Sequence, residues 1–223
     1  MTAMHDDLQE ELRRWMLGES FSCLGGRIAV RHDTLRTLST GVMGATATTK
    51  EVHSELSRFV AESLHPEEDF ASFVVLFDGP SMSSEKHFES ELWAQLQALH
   101  ELDRQGCPYA PDVSSDPASA DFAFSVSGHP FFVVGLHPLA SRTSRRFTVP
   151  AMVFNSHHQF RRLKASGVYQ GLQRRIRSRE VRLQGSVNPA LGEFGALPEA
   201  RQYSGRAPEE EWRCPFRPVS DTE

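Results

Sequence analysis

Pro130-Phe131-Phe132-Val133-Val134-Gly135-Leu136 is an unbroken apolar run closed by His137-Pro138, and Val149-Pro150-Ala151-Met152-Val153-Phe154 answers it after a basic, serine-rich spacer. Short runs of this kind, rich in Val and Phe and bounded by turn formers, read as buried strands. Phe70 to Phe77 and Phe122 to Val126 have the same character. Helical spacing surrounds them. Leu8, Leu12, Trp15 and Met16 share one face over residues 6 to 17, which Gly18 ends. A second helix is predicted from Thr48, with Glu51 reaching back as a capping box and Val52, Leu56, Phe59 and Val60 as its stripe. A third runs from about Ser84 to Leu102, with Phe88, Leu92, Leu96 and Leu99 inside and Glu85, Glu89 and Glu101 largely outside.

From His157 to about Leu183 the pattern is helical again, broken near Gly167. The remainder is loop-like but carries Phe194, Tyr203, Trp212 and Phe216, so it is expected to fold back onto the body. The strands fall at irregular intervals and no repeat is visible, which argues against a βαβ wind and against a solenoid. The expectation is one α+β domain over residues 1 to 223, with a mostly antiparallel sheet flanked by helices and a long loop-rich C-terminal segment.

The 223 residues are 39% hydrophobic and 24% charged, an ordinary globular composition. No apolar run approaches the roughly 18 to 20 residues that cross a bilayer, and MTAMHDDLQEELRR lacks the layout of a secretory signal. A cytoplasmic protein without membrane contact is expected. Cys23, Cys107 and Cys214 are too scattered for a disulfide framework or a zinc ribbon and read as reduced thiols.

The net charge of -5 hides an asymmetry. Residues 51 to 121 hold only Arg58, Lys86 and Arg104 as bases, whereas residues 142 to 182 carry eleven Arg and Lys against the single acid Glu180. Such a run pairs internally, grips small anions or faces nucleic acid. The overall charge speaks against nucleic acid, and no recognised nucleic-acid motif accompanies the run.

No G-x-S-x-G elbow is present, Ser204 has no activating neighbour, and Gly25-Gly26 lacks the rest of a dinucleotide fingerprint. Histidine is richer in meaning: His129, His137, His157 and His158 cluster around two predicted strands. A closed zinc site would need four ligands at a recognisable spacing, but haem needs one axial ligand and cations for its propionates. His157, His137 and Cys214 are the candidate iron ligands, with Cys23 a further thiol. Arg142, Arg145 and Arg146, between the histidines, are the candidate propionate partners.

The stretch from Phe131 to Pro138, with Ser141-Arg142, Arg145-Arg146-Phe147, Phe154-Asn155, His157 and Gln159-Phe160, resembles the central signature of the YqcI/YcgG-type family. The closing run Gln184-Gly185, Asn188-Pro189, Glu199 to Arg206 and Trp212 to Phe216 is similar to that family's C-terminal signature. Leu92-Trp93, Asp116-Pro117 and Phe21-Ser22-Cys23 extend the likeness over nearly the whole chain, although Phe-Ser-Cys stands where Phe-Pro-Cys is usual.

The resemblance implies a haem b enzyme that uses dioxygen and an external electron donor to hydroxylate a guanidine nitrogen of L-arginine or a related guanidino compound. It implies His157 as first choice for the iron, and places Arg201, Arg206 and Tyr203 beside the cofactor or the substrate carboxylate. A cationic substrate calls for a carboxylate, for which Glu199 and Asp116 are the leading candidates and Asp78 and Glu85 lie near signature segments. A haem-binding sensor or carrier without turnover is the alternative, and a homodimer is left open.

Overall fold

The computed structural model of the chain describes residues 2–65, 70–187 and 198–218. Its elements run α1 (Thr2–Leu17), α2 (Leu24–Arg31), β1 (Leu35–Val42), α3 (Thr46–Ser63), β2 (Ser72–Gly79) and α4 (Glu85–Asp103). They continue with β3 (Phe124–Val126), β4 (His129–Leu136), a 3-10 turn at Thr143–Arg145, β5 (Ala151–Ser156), α5 (His157–Ala165), α6 (Val168–Gln184) and α7 (Ala200–Tyr203). The sheet order is β1-β2-β5-β4-β3. Within this sheet β1 and β2 pair in parallel, and the other three pairings are antiparallel. The result is a single-domain α+β fold. Among the described residues no helix is long and apolar enough to cross a membrane.

Alternation along the strands separates two cores, because successive side chains point to opposite faces. Phe73, Val75 and Phe77 of β2, with Val133 of β4 and Phe154 of β5, pack against the apolar stripes of α3 and α4. Val74 and Leu76, with Leu136 and Ala151, face the other way, toward α1 and Phe147. On the first face β4 comes so close to α4 that a Cβ on Gly135 would lie 2.5 Å from Phe88 and 2.8 Å from Leu92. Gly135→Ala is therefore expected to cost about 1–3 kcal/mol through overpacking. Chemical denaturation measures it, and an unchanged midpoint would contradict the close packing of β4 on α4.

β1, α2 and the one-turn α7 are absent from the sequence reading. β1 reads Leu-Arg-Thr-Leu-Ser-Thr-Gly-Val, too polar to resemble the other strands, yet it forms an edge where one side needs no apolar cover. The β1-α3-β2 crossover is thus one parallel unit in a sheet for which no βαβ wind was expected. α2 is a single short amphipathic helix of eight residues with two glycines in its first turn.

The capping box at Thr48 does not form. α3 starts at Thr46 with Ala45 as its cap residue, and Thr48 is buried inside the helix. Glu51 instead accepts a hydrogen bond from the Thr40 hydroxyl on β1. Cross-element pairing outcompetes the local cap because Thr40 and Thr48 are both buried there. Ser84 does cap α4, accepting from the His87 amide at 3.0 Å. The break at Gly167 is real, its φ of 76° being a left-handed conformation that favours glycine.

The C-terminal segment folds back as expected. Trp93 of α4 stacks on Tyr203 with ring centroids 5.5 Å apart and also meets Trp212 and Phe216. Glu89 is not an outside residue: Arg206 grips it with two bonds of 3.1 and 2.6 Å, tying the returning segment to α4. Phe194, Asn188 and Pro189 lie outside the described residues.

Candidate functional site

The second face of the sheet is where space remains. β2, β4 and β5 present Ser72, Phe132, Val134, Val153 and Asn155 to it, and Ser72 donates to the Asn155 side-chain oxygen at 2.9 Å. Above them lie Phe160 and Leu163 of α5, and Leu172 and Ile176 of α6. The chain between α1 and α2 closes one side with Phe21, Ser22 and Cys23. The cavity, partly open to solvent, measures about 250 Å³. That lies near the lower margin of small-molecule sites, which run from about 300 to 1,000 Å³. Its walls are mainly apolar, and the polar groups on them are few and placed by the fold.

Glu199 is the first. It is 2% exposed and precedes α7. Its Oε1 lies 3.1 Å from His157 Nε2, while Oε2 has no hydrogen-bond partner among the described residues. The carboxylate also lines the cavity. A buried carboxylate oxygen without a donor is costly, and such a group marks a place where a ligand donor fits.

Arg145 is the second. Its guanidinium is spent on the carbonyls of Gly135, Tyr203 and Gln202 at 3.1 to 3.3 Å, with no carboxylate in hydrogen-bond reach among the described residues. Burial, partly offset by the more distant Glu180 charge, lowers its pKa to about 10. Arg177 on α6 brings a further cation to the cavity wall.

Glu180 is the anchor of α6. It accepts from Arg142 Nη2 at 2.7 Å and from the Ser144 hydroxyl at 2.5 Å, and it is also hydrogen-bonded to Ser22. Burial pushes its carboxyl up, but these bonds together outweigh burial and hold it below the usual glutamate range. Arg142 Nη2 and Nη1 also donate to Ser186, at 2.6 and 3.1 Å, while its buried Nε has no hydrogen-bond partner among the described residues. One carboxylate thus joins α6, the Thr143–Arg145 turn and the entry to α2 around the cavity.

The residues singled out from the sequence divide between the two faces. His137, at the end of β4, shares the parity of Val133 and Gly135 and so faces α4, where it stacks on Phe88 at 4.3 Å. Burial lowers its pKa to about 4. Cys214 packs in that same core, and burial raises its thiol to about 12. Tyr203 is fully buried, its hydroxyl donating to the Phe131 carbonyl and accepting from the Phe124 amide. Arg201 lies over the Trp212 ring and donates to the carbonyls of Trp212 and Glu209. Arg206 holds Glu89 and Glu209, and Arg146 holds the Ala140 and Ser141 carbonyls. Asp116 and Asp78 are exposed, and Glu85 accepts from Ser141.

Glu199, with His157 behind it, Arg145 and the thiol Cys23 therefore reach the cavity from that set. The histidine cluster also divides. His129 and His158 meet edge to face at 4.6 Å, His158 pairs with Asp112, and His137 is on the other face. Among the described residues no three His, Cys, Asp or Glu side chains are grouped to hold a metal ion. Cys23, Arg177 and Glu180 were under-weighted from sequence. Glu180 had a legible signal, being the lone acid in a basic helix, a position that calls for a specific partner.

Comparison with known proteins agrees on one family. The model of the YqcI/YcgG family matches residues 12–217. The chain is 30% identical to the uncharacterized protein YcgG of Bacillus subtilis (strain 168), over 94% of this chain and 90% of that protein. It is 28% identical to the uncharacterized protein YqcI of the same organism, over 88% of this chain and 80% of that one. No solved structure matches it.

Proposed function

Since the chain belongs to the YqcI/YcgG family, we propose that it is a cytoplasmic haem-dependent oxygenase that hydroxylates a guanidine nitrogen of L-arginine or a related guanidino compound. The observation that carries the substrate class is Glu199: a buried carboxylate on the wall of an apolar cavity, with one oxygen held by His157 and the other without a donor among the described residues. A guanidinium offers a planar fork of N–H donors and a positive charge, which is what such an oxygen accepts.

The residues present fit haem in kind. The walls are mainly apolar, a thiol opens onto them at Cys23, Arg177 offers a cation to a carboxylate of cofactor or substrate, and Arg145, held by carbonyls, adds its positive charge to the wall. Haem, when bound, supplies the dioxygen chemistry, drawing on an external electron donor; the protein's part is binding, orientation and exclusion of water. Glu199 fixes the guanidinium, and His157 fixes Glu199 by occupying Oε1. The same carboxylate is placed to take a proton from the nitrogen it binds, with the imidazole as its proton partner. Phe132, Val134, Val153, Phe160 and Leu172 keep that charge pair out of bulk water and so strengthen it.

The test is the absorption spectrum of the full-length protein supplied with haem, ferric and ferrous, before and after L-arginine. A Soret band that moves on adding L-arginine, with N-hydroxyarginine detected by mass spectrometry under turnover, is the expected result. A Soret band indifferent to L-arginine removes the substrate class, and absence of any Soret band removes the haem.

A further inference from the structure

Cys23 combines four features that the proposed reaction has not yet used. It is the N-cap residue of α2, its side chain makes no capping hydrogen bond, and the amides of Gly25 and Gly26 lie where they favour its charged form. Its side chain is exposed and lines the cavity. Gly25 brings no side chain against the sulfur, since a Cβ there would stand in ordinary contact with Sγ at 3.9 Å. Finally, the same cavity holds the Glu199 oxygen that has no donor among the described residues, so a ligand is called for independently of the thiol.

Among the described residues, the other iron-ligand candidates named from the sequence are placed elsewhere. Cys214 and His137 belong to the opposite face of the sheet. His157 does not line the cavity, and its Nε2 is held by Glu199. Glu180 is saturated by Arg142, Ser144 and Ser22.

We propose that Cys23 Sγ is the protein ligand to the iron of a haem bound in this cavity; this rests on the haem reading above. When ferric haem binds, the Cys23 S–H bond breaks, the sulfur gives an electron pair to iron, and the proton leaves to solvent with no change of oxidation state. The largely apolar walls around the thiol oppose its ionisation, while the amides of Gly25 and Gly26 and the N-terminal end of the helix dipole favour it. A bound cation tips that balance toward the thiolate.

The experiment uses the full chain, reconstituted with haem, as wild type and as Cys23→Ser, Cys23→His and Cys214→Ala, each checked by circular dichroism and thermal melting. Two readouts are recorded: the Soret band of the ferrous carbon monoxide form and the ferric electron paramagnetic resonance spectrum. Wild type and Cys214→Ala are expected to give the strongly red-shifted carbonyl band and the low-spin ferric signature of thiolate ligation. Cys23→Ser should lose both, and Cys23→His should convert them to the imidazole type. An imidazole-type spectrum in the wild type, or a thiolate signature that survives in Cys23→Ser, overturns the ligand assignment while leaving haem in place. No Soret band in the wild type overturns the ligand and the haem together. Should Cys23→Ser fail to fold, the wild-type spectrum decides alone, because the opposing sets of bands belong to different ligand atoms.

Discussion

Glu180→Ala is expected to destabilise the protein by about 3–5 kcal/mol, the typical cost of removing one partner from a buried ion pair. Arg142 and Glu180 are 8% and 4% exposed, so the substitution strands a guanidinium that only Ser186 still meets. It also frees the Ser144 hydroxyl. For a chain of this length each kcal/mol moves Tm by roughly 2–4 °C. Scanning calorimetry should therefore show a fall of about 6–20 °C.

The pH dependence has a defined sign. The folded Glu180 carboxyl lies below its ordinary value of 4.5, so its contribution is complete above that value and is lost as pH falls through the folded one. The variant should accordingly show a shallower loss of stability below pH 4.5 than the parent. A control replaces both partners, Arg142→Met with Glu180→Leu, and should recover much of the loss, since the stranded charge is gone. A Tm within one or two degrees of wild type for Glu180→Ala would refute the anchoring role.

Glu199→Gln should abolish recognition of the guanidinium while keeping the shape of the side chain. Removing one member of a buried charge pair costs about 2–5 kcal/mol, or roughly 30-fold to 4,000-fold in Kd. Isothermal titration with L-arginine, agmatine and L-citrulline separates the contributions. Wild type should favour the two guanidino compounds over the neutral ureido one, and Glu199→Gln should erase that preference. Because the titration requires no turnover, it tests the carboxylate separately from the oxidation. Arginine affinity within about threefold of wild type would show that Glu199 does not meet the substrate.

The apolar strands were legible because each is buried on both faces and so reads as a continuous run. β2 is buried at every position but Asp78, and β4 alternates only between buried and half-buried. β1 was not legible for the opposite reason: Arg36 and Thr37 are tolerated on an edge, and no turn dipeptide marks its ends. The chemistry was harder. Residue type suggested iron ligands, but which face a strand residue meets depends on register, and one step of parity separates His137 from the cavity. Arg142 and Arg206 were read as cations for a ligand, yet each is engaged by a glutamate distant in sequence, Glu180 and Glu89. The spacing of charges along the chain does not reveal such partners. Glu199 was legible as a carboxylate beside a signature segment; its want of a donor was not.

The order of the sheet also governs how the chain is made. β5 is the only bridge between the β1-β2 pair and the β4-β3 hairpin, and it joins Ser72 to Asn155 across 83 positions of sequence. During synthesis, the apolar edge of β2 must wait for residue 156 before its second neighbour exists. Closing so long a loop is slow, and an unpaired strand edge exposed meanwhile is prone to pair with other chains. Truncation before β5 should therefore leave an aggregating fragment, and the yield of folded protein should depend on chaperone supply during translation of this middle stretch.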